Sequence, residues 1–101
     1  MNSATISGRV VSEPTIYIND DGTKICILRV RTQVFYDSNC YNAVIKVKAT
    51  GKDADYCERE ITTGDEVIVY GRLKCRVVKN KHEEFFYDTY IGCNVIQRLE
   101  R

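Results

Sequence analysis

KICILRVRTQVF, residues 24–35, alternates with a period of two. Cys26, Leu28, Val30, Thr32 and Val34 share one parity; Ile27, Arg29, Arg31 and Gln33 share the other. A β-strand sends successive side chains to opposite faces. The stretch therefore reads as a long strand with an apolar face and a face carrying two arginines. The same alternation recurs on both sides of it. Residues 5–11 (TISGRVV) form a first strand, and Thr15–Ile18, after Pro14, a short additional one. NDDG (19–22) is a turn, because Asn and Asp start turns and Gly accepts positive φ. Residues 24–35 are then the second main strand and YDSNCYN (36–42) a connecting loop. Residues 43–50 form the third strand, with Ile45, Val47 and Ala49 on one face and Val44, Lys46 and Lys48 on the other. Residues 66–78 form the fourth, with Val67, Val69, Leu73, Cys75 and Val77 of one parity. KNKHEE (79–84) is a polar hairpin tip, and residues 85–99 are the fifth strand.

The period changes once. In residues 51–65 Ala54, Cys57 and Ile61 are spaced i, i+3, i+7, one face of a short helix. Asp53 and Asp55 suit the positive end of its dipole, and Gly64 suits its exit. Gly8, Gly71 and Gly92 fall inside strands, where glycine permits the bends and bulges that closing a small barrel requires. Five strands with one short helix between the third and fourth make an all-β, five-stranded barrel of the OB-fold type. The 101 residues are expected to form this one domain.

Composition narrows the function. No apolar run is long enough to span a membrane. The N-terminal MNSATISGRV lacks the basic and long apolar regions of a signal peptide, so the expected location is the cytoplasm. The five cysteines, Cys26, Cys40, Cys57, Cys75 and Cys93, contain no C-x-x-C pair. They read as reduced structural thiols, Cys26 and Cys75 as small buried hydrophobes on their strands' apolar parity. The single histidine, His82, sits in the polar hairpin, and Asp20, Asp21, Glu83 and Glu84 lie in turns. No phosphate loop, nucleophile motif or metal-ligand cluster appears, so neither catalysis nor a cofactor is expected. Net charge is +1, so only the distribution of charge can point to a partner.

GRVVSEPTIYINDDGTKICILRVRT (8–32) resembles the opening of bacterial single-stranded-DNA-binding proteins, with Gly8, Arg9, Pro14, Gly22 and Thr23 in step. TGKDADYCEREITTGDEVIVYGRLKCR (50–76) resembles that family's segment from helix to fourth strand. There Gly51, Lys52, Gly64, Val67, Val69, Gly71, Arg72 and Leu73 match in register. The resemblance implies an OB-fold that binds single-stranded DNA as a homodimer or homotetramer, in DNA replication, repair and recombination. It implies an interface that includes the first strand. Three departures stand out: Val44, Thr50 and Val78 occupy positions where the family stacks bases on aromatics. The family's acidic C-terminal tail is not seen either, as the sequence runs to QRLER. A short relative with few stacking aromatics also resembles the primosomal replication proteins of the superfamily, which bind single strands weakly and act beside restart factors.

The residues agree with a nucleic-acid partner. Arg29 and Arg31, Lys46 and Lys48, and Arg72, Lys74 and Arg76 all take the parity opposite the apolar one. With the strands neighbouring in order, and the fourth paired across the first, these cations form a stripe. Lys79 and Lys81 extend it at the hairpin tip. Phosphate neutralisation supplies most sequence-independent affinity, although lysine and arginine on exposed strands also serve as solubilisers and edge protection. Phe35, Tyr36 and Tyr41, at the loop, are the stacking candidates, followed by Tyr70, which shares the basic parity. Phe85, Phe86 and Tyr87 read equally as closing the barrel or as contacting nucleic acid. Three readings remain: a sequence-independent single-stranded-DNA binder, a primosome-type protein with mainly protein contacts, and an assembly module with no nucleic-acid role.

Overall fold

The computed structural model describes residues 1–99. They form β1 (Ala4–Val10), β2 (Thr15–Ile18), β3 (Lys24–Tyr36), β4 (Asn39–Thr50), α1 (Lys52–Glu60), β5 (Glu66–Lys79) and β6 (Phe85–Arg98). The strand order is β1-β5-β6-β4-β3-β2, and a further β1–β3 pairing closes five of the strands into a barrel with β2 outside on β3. Closure runs through Arg9↔Arg31 and Val10↔Val30. Among the described residues only β4 and β6 run parallel, paired at Val47↔Ile91 and Lys48↔Gly92. Two glycines make the close approaches possible. A Cβ on Gly8 would lie 2.1 Å from the Arg31 carbonyl oxygen, and one on Gly71 would lie 2.2 Å from that of Gly92.

The barrel with one helix matches the expected class, but the helix lies between the fourth and fifth strands rather than the third and fourth. The reason is Thr15–Ile18. Its four residues pair with β3 from Thr15↔Ile27 to Ile18↔Lys24, which makes it a sheet strand in its own right.

The core is the apolar parity of the alternating strands. Val10, Cys26, Leu28, Val30, Val47, Ala49, Val67, Val69, Ile91 and Ile96 meet inside, and Ala54, Cys57 and Ile61 cover them from α1 and its exit. Burying a side chain of Leu28's size contributes about 1.5–3 kcal/mol. Lys24 ties the helix to β3 through Asp55, at 3.0 Å, and Glu58. Those two carboxylates hold the Lys24 ammonium above its usual pKa, with Glu58 the larger cause. At nine residues α1 is too short to cross a membrane. It ends at Glu60, not at Gly64. Gly64, at φ +95°, serves the turn into β5, where Thr62 N–H donates to Asp65 Oδ2 at 2.9 Å and the Thr63 hydroxyl donates to Glu13 at 2.7 Å.

Two further expectations fail at the barrel's rim. Leu73, Cys75 and Val77 share the core parity of β5 but are exposed. Past Ile91 and Gly92, where β6 still pairs with β4, β5 and β6 leave the barrel as a two-stranded arm, paired from Lys74↔Tyr90 to Lys79↔Phe85, with Leu73 at its root. With no third layer over the arm, parity no longer means burial. The expected loop at 36–42 is instead a hairpin that pairs as far as Tyr36↔Asn39. Asp37 and Ser38, at φ 50° and 67°, make a two-residue turn with both central residues left-handed, the type whose twist matches a hairpin.

Candidate nucleic-acid interface

The expected pairing of β1 with β5 is present but ends at Ala4↔Gly71, before Arg72; the outer parity of the barrel brings the cations together through β6. Arg29 pairs in register with Lys46, and Lys48 with Gly92. Gly92, Tyr90 and Asp88 in turn pair with Arg72, Lys74 and Arg76. The charged face thus runs continuously over β3, β4, β6 and β5. The arginines and Lys74 are exposed, and Lys46 and Lys48 half-buried. The Lys74 stem lies over Gly92, where a Cβ would meet Lys74 Cε at 2.9 Å. Beside it is a cleft of about 250 Å³ lined by Lys48, Thr50, Arg72, Lys74, Tyr90 and Asn94.

Within this face the cations are not equivalent. Asp88 accepts hydrogen bonds from Lys46 Nζ at 3.1 and 3.2 Å and from Arg76 Nε at 3.0 Å. Lys46 first, then Arg76, holds the Asp88 carboxyl below its usual range. Arg29, Arg31, Lys48, Arg72 and Lys74 form no ion pair among the described residues. Lys46 and Lys48 also stand over the Tyr90 ring, 5.8 and 5.5 Å from its centroid. A larger cleft, about 480 Å³, opens between β1 and the β3–β4 hairpin, which projects as a second arm, and is lined by Ser7, Arg9, Arg31, Gln33, Phe35 and Glu66. There Arg9 is paired to Glu66 at 3.0 Å.

The aromatic candidates separate. Phe35, 73% exposed, shares the parity of Arg31. Tyr36 and Tyr41 are exposed too, but Tyr41 pairs with Val34, so both project from the opposite face of the arm. Tyr70 is exposed on the Arg72 parity, opposite Thr5 of β1. Lys79 takes the Leu73–Val77 face of the β5–β6 arm, beside Glu83 at 3.7 Å, and Lys81 is at the tip. Neither joins the stripe. The positions that depart from the aromatic pattern, Val44, Thr50 and Val78, lie on the same parity as the cations, with Val44 and Thr50 exposed. Cys57 and Cys93 bring no thiolate to this face. The hydrogen bond with Cys26, together with burial, pushes the Cys57 thiol up, and burial pushes that of Cys93 up to about 12, so both stay protonated at neutral pH.

The family model for the single-strand binding protein family matches residues 1–99. The chain belongs to the single-strand binding protein family. The motifs at 8–32 and 50–76 pointed to it. Two curated relatives, each a "single-stranded DNA-binding protein 2" of Tropheryma whipplei (strains Twist and TW08/27), are 31% identical over 116 aligned residues, covering 97% of this chain and 76% of theirs. Among solved structures, a Plasmodium falciparum SSB in complex with ssDNA superposes with a TM-score of 0.89 at 21% identity, over 99% of this chain and 96% of that one. This likeness shows that the family member has the same fold. Reading the sequence alone missed Tyr90 and Asp88 as parts of the face, and Arg9 as part of the larger cleft. The alternation in residues 86–92, Phe86, Asp88, Tyr90 and Gly92 on one parity, was the available signal. It became readable only with the β4–β6 pairing.

Proposed function

We propose that this protein binds single-stranded DNA with little sequence preference, in the cytoplasm, as a homodimer or homotetramer serving replication, repair or recombination. The observation that carries the reading is the unbroken cationic face over β3, β4, β6 and β5 on a barrel of the single-strand binding protein family. Arg29, Arg31, Lys48, Arg72 and Lys74 take phosphates, and Phe35 and Tyr90 offer ring faces to unpaired bases. Family membership and the Plasmodium falciparum SSB bound to ssDNA support it. Each stacked base contributes about 1–3 kcal/mol. With Val44, Thr50 and Val78 unable to stack, affinity is modest and largely electrostatic. That deficit also favours a second reading, a primosome-type protein whose contacts are mainly with replication or restart proteins.

What the barrel leaves uncovered supports self-association. Val34, Tyr36 and Tyr41 on one arm, and Leu73, Val77 and Tyr87 on the other, are exposed apolar faces. β1 pairs in register with β3 at Arg9 and Val10 and packs on it at Gly8, which leaves the edge at residues 4–7 for a second copy. The protein lacks tryptophan and has seven tyrosines, so tyrosine emission reports binding directly. Saturable quenching by oligo-dT supports the reading, and no change at micromolar concentrations at low salt contradicts it. Sedimentation equilibrium at the 11.6 kDa monomer mass contradicts the oligomer.

A further inference from the structure

Asp88 is an acidic side chain set between two cations of the face, and its place there is built. Its carboxylate is only 18% exposed and holds both Lys46 and Arg76, cations from two different strands. Neither Arg76 nor Lys46 can turn fully to a phosphate while that clamp is closed. Bringing a phosphate to either cation puts a second anion beside the Asp88 carboxylate, and nearby like charges repel. The trio carries a net charge of +1 rather than +2, at the centre of the path from Arg29 to Lys74. Arg76 is held through Nε alone and its side chain is 63% exposed, so the clamp grips Lys46 more completely than Arg76. Here Lys46 is 27% exposed, gives two contacts to the same carboxylate and stands over Tyr90.

We propose that Asp88 acts as an internal competitor for the DNA backbone, withholding Lys46 and Arg76 from phosphate and so lowering both affinity and its dependence on salt. The inference rests on the proposed single-strand binding and names a residue that tunes it. Asp88→Asn keeps the shape of the side chain and removes its charge. Each cation released adds about 0.7 to the slope of log K against log[salt] on a single strand. The variant should therefore bind oligo-dT more tightly at low salt, with a slope steeper by about 0.7–1.4. Between 50 and 200 mM salt that is a further loss of about three- to sevenfold. A slope equal to the wild type's, or weaker binding with an unchanged melting temperature, overturns the proposal and makes Asp88 a positioning residue. The triple variant Lys46→Gln, Arg76→Gln, Asp88→Asn removes the clamp without stranding a charge, and so tests the idea even where Asp88→Asn folds poorly. It should keep the wild-type slope, and a slope shallower by about 1.4 overturns the proposal. Wild-type protein that binds no oligo-dT overturns this and the proposed function together. Wild-type binding with unaltered variants overturns this alone.

Discussion

Replacing Arg29 and Arg31 with glutamine removes two of the five cations on the face that no carboxylate holds, Arg29, Arg31, Lys48, Arg72 and Lys74. Each should neutralise one phosphate, worth about 0.7 in slope on single strands. Five contacts give the wild type a slope near 3.5, and three give the double variant about 2.1. Raising salt from 50 to 200 mM then weakens the wild type about 130-fold and the variant about 18-fold. Both side chains are exposed, so the fold should lose no more than about 0.5 kcal/mol. The control is Lys52→Gln with Arg59→Gln on α1, an element outside the four strands of the face, where Arg59 is paired to Glu60 at 3.2 Å. Anisotropy titrations of labelled oligo-dT at four or five salt concentrations give the slopes. If both double variants have the wild-type slope, the arginine parity of β3 is a solvated surface and the phosphate path runs elsewhere.

Phe35→Ala should weaken oligo-dT binding by about 1–3 kcal/mol without lowering the melting temperature. Tyr56→Ala should do the reverse, since the Tyr56 hydroxyl accepts from the Arg98 N–H at 3.2 Å beside the core; equal binding losses from both would contradict the assignment. Gly8→Ala forces a methyl onto the Arg31 carbonyl at the barrel's closure and should cost about 1–3 kcal/mol in urea unfolding, and wild-type stability would show that β1 and β3 can part freely. Stability should fall at both ends of the pH scale, as read by melts across it. Glu13, Asp21 and Asp88 have lowered folded pKa values. Their contribution is present above the unfolded values near 4 and is lost as pH falls through the folded ones. Lys24, with a raised value, contributes below about 10.4 and is lost as pH rises above it. A melting temperature that stays level from pH 7 to pH 2 would contradict the acid half.

What could be read from residues alone was whatever depended on parity within one strand. Leu28, Val30, Val47 and Val67 are buried and Arg29, Arg31, Val44 and Arg72 are exposed, as alternation required. Parity failed where a strand left the barrel. Leu73, Cys75 and Val77 continue the pattern of Val67 and Val69, but nothing in the local sequence says that β5 has run past the layer that would cover them. The Asp37–Ser38 turn was hidden for a related reason. The expected turn residue for positive φ is glycine, and YDSNCYN has none, although Asp tolerates the left-handed region. The functional face was legible as separate charged strands and not as a surface. Which cations adjoin depends on the parallel β4–β6 pairing, a contact across more than 40 residues that no local pattern encodes. Asp88 looked like one more polar residue until that pairing set it between Lys46 and Arg76.

The central claim is that this face takes a single strand, using phosphate contacts together with ring faces that need unpaired bases. One titration tests it most directly: fluorescence anisotropy with labelled oligo-dT, beside a duplex of equal length, at one fixed low salt concentration. Saturable binding to oligo-dT, with the duplex at least tenfold weaker, is the predicted result. Equal affinity for both would reduce the face to general polyanion attraction, and binding to neither would contradict the account.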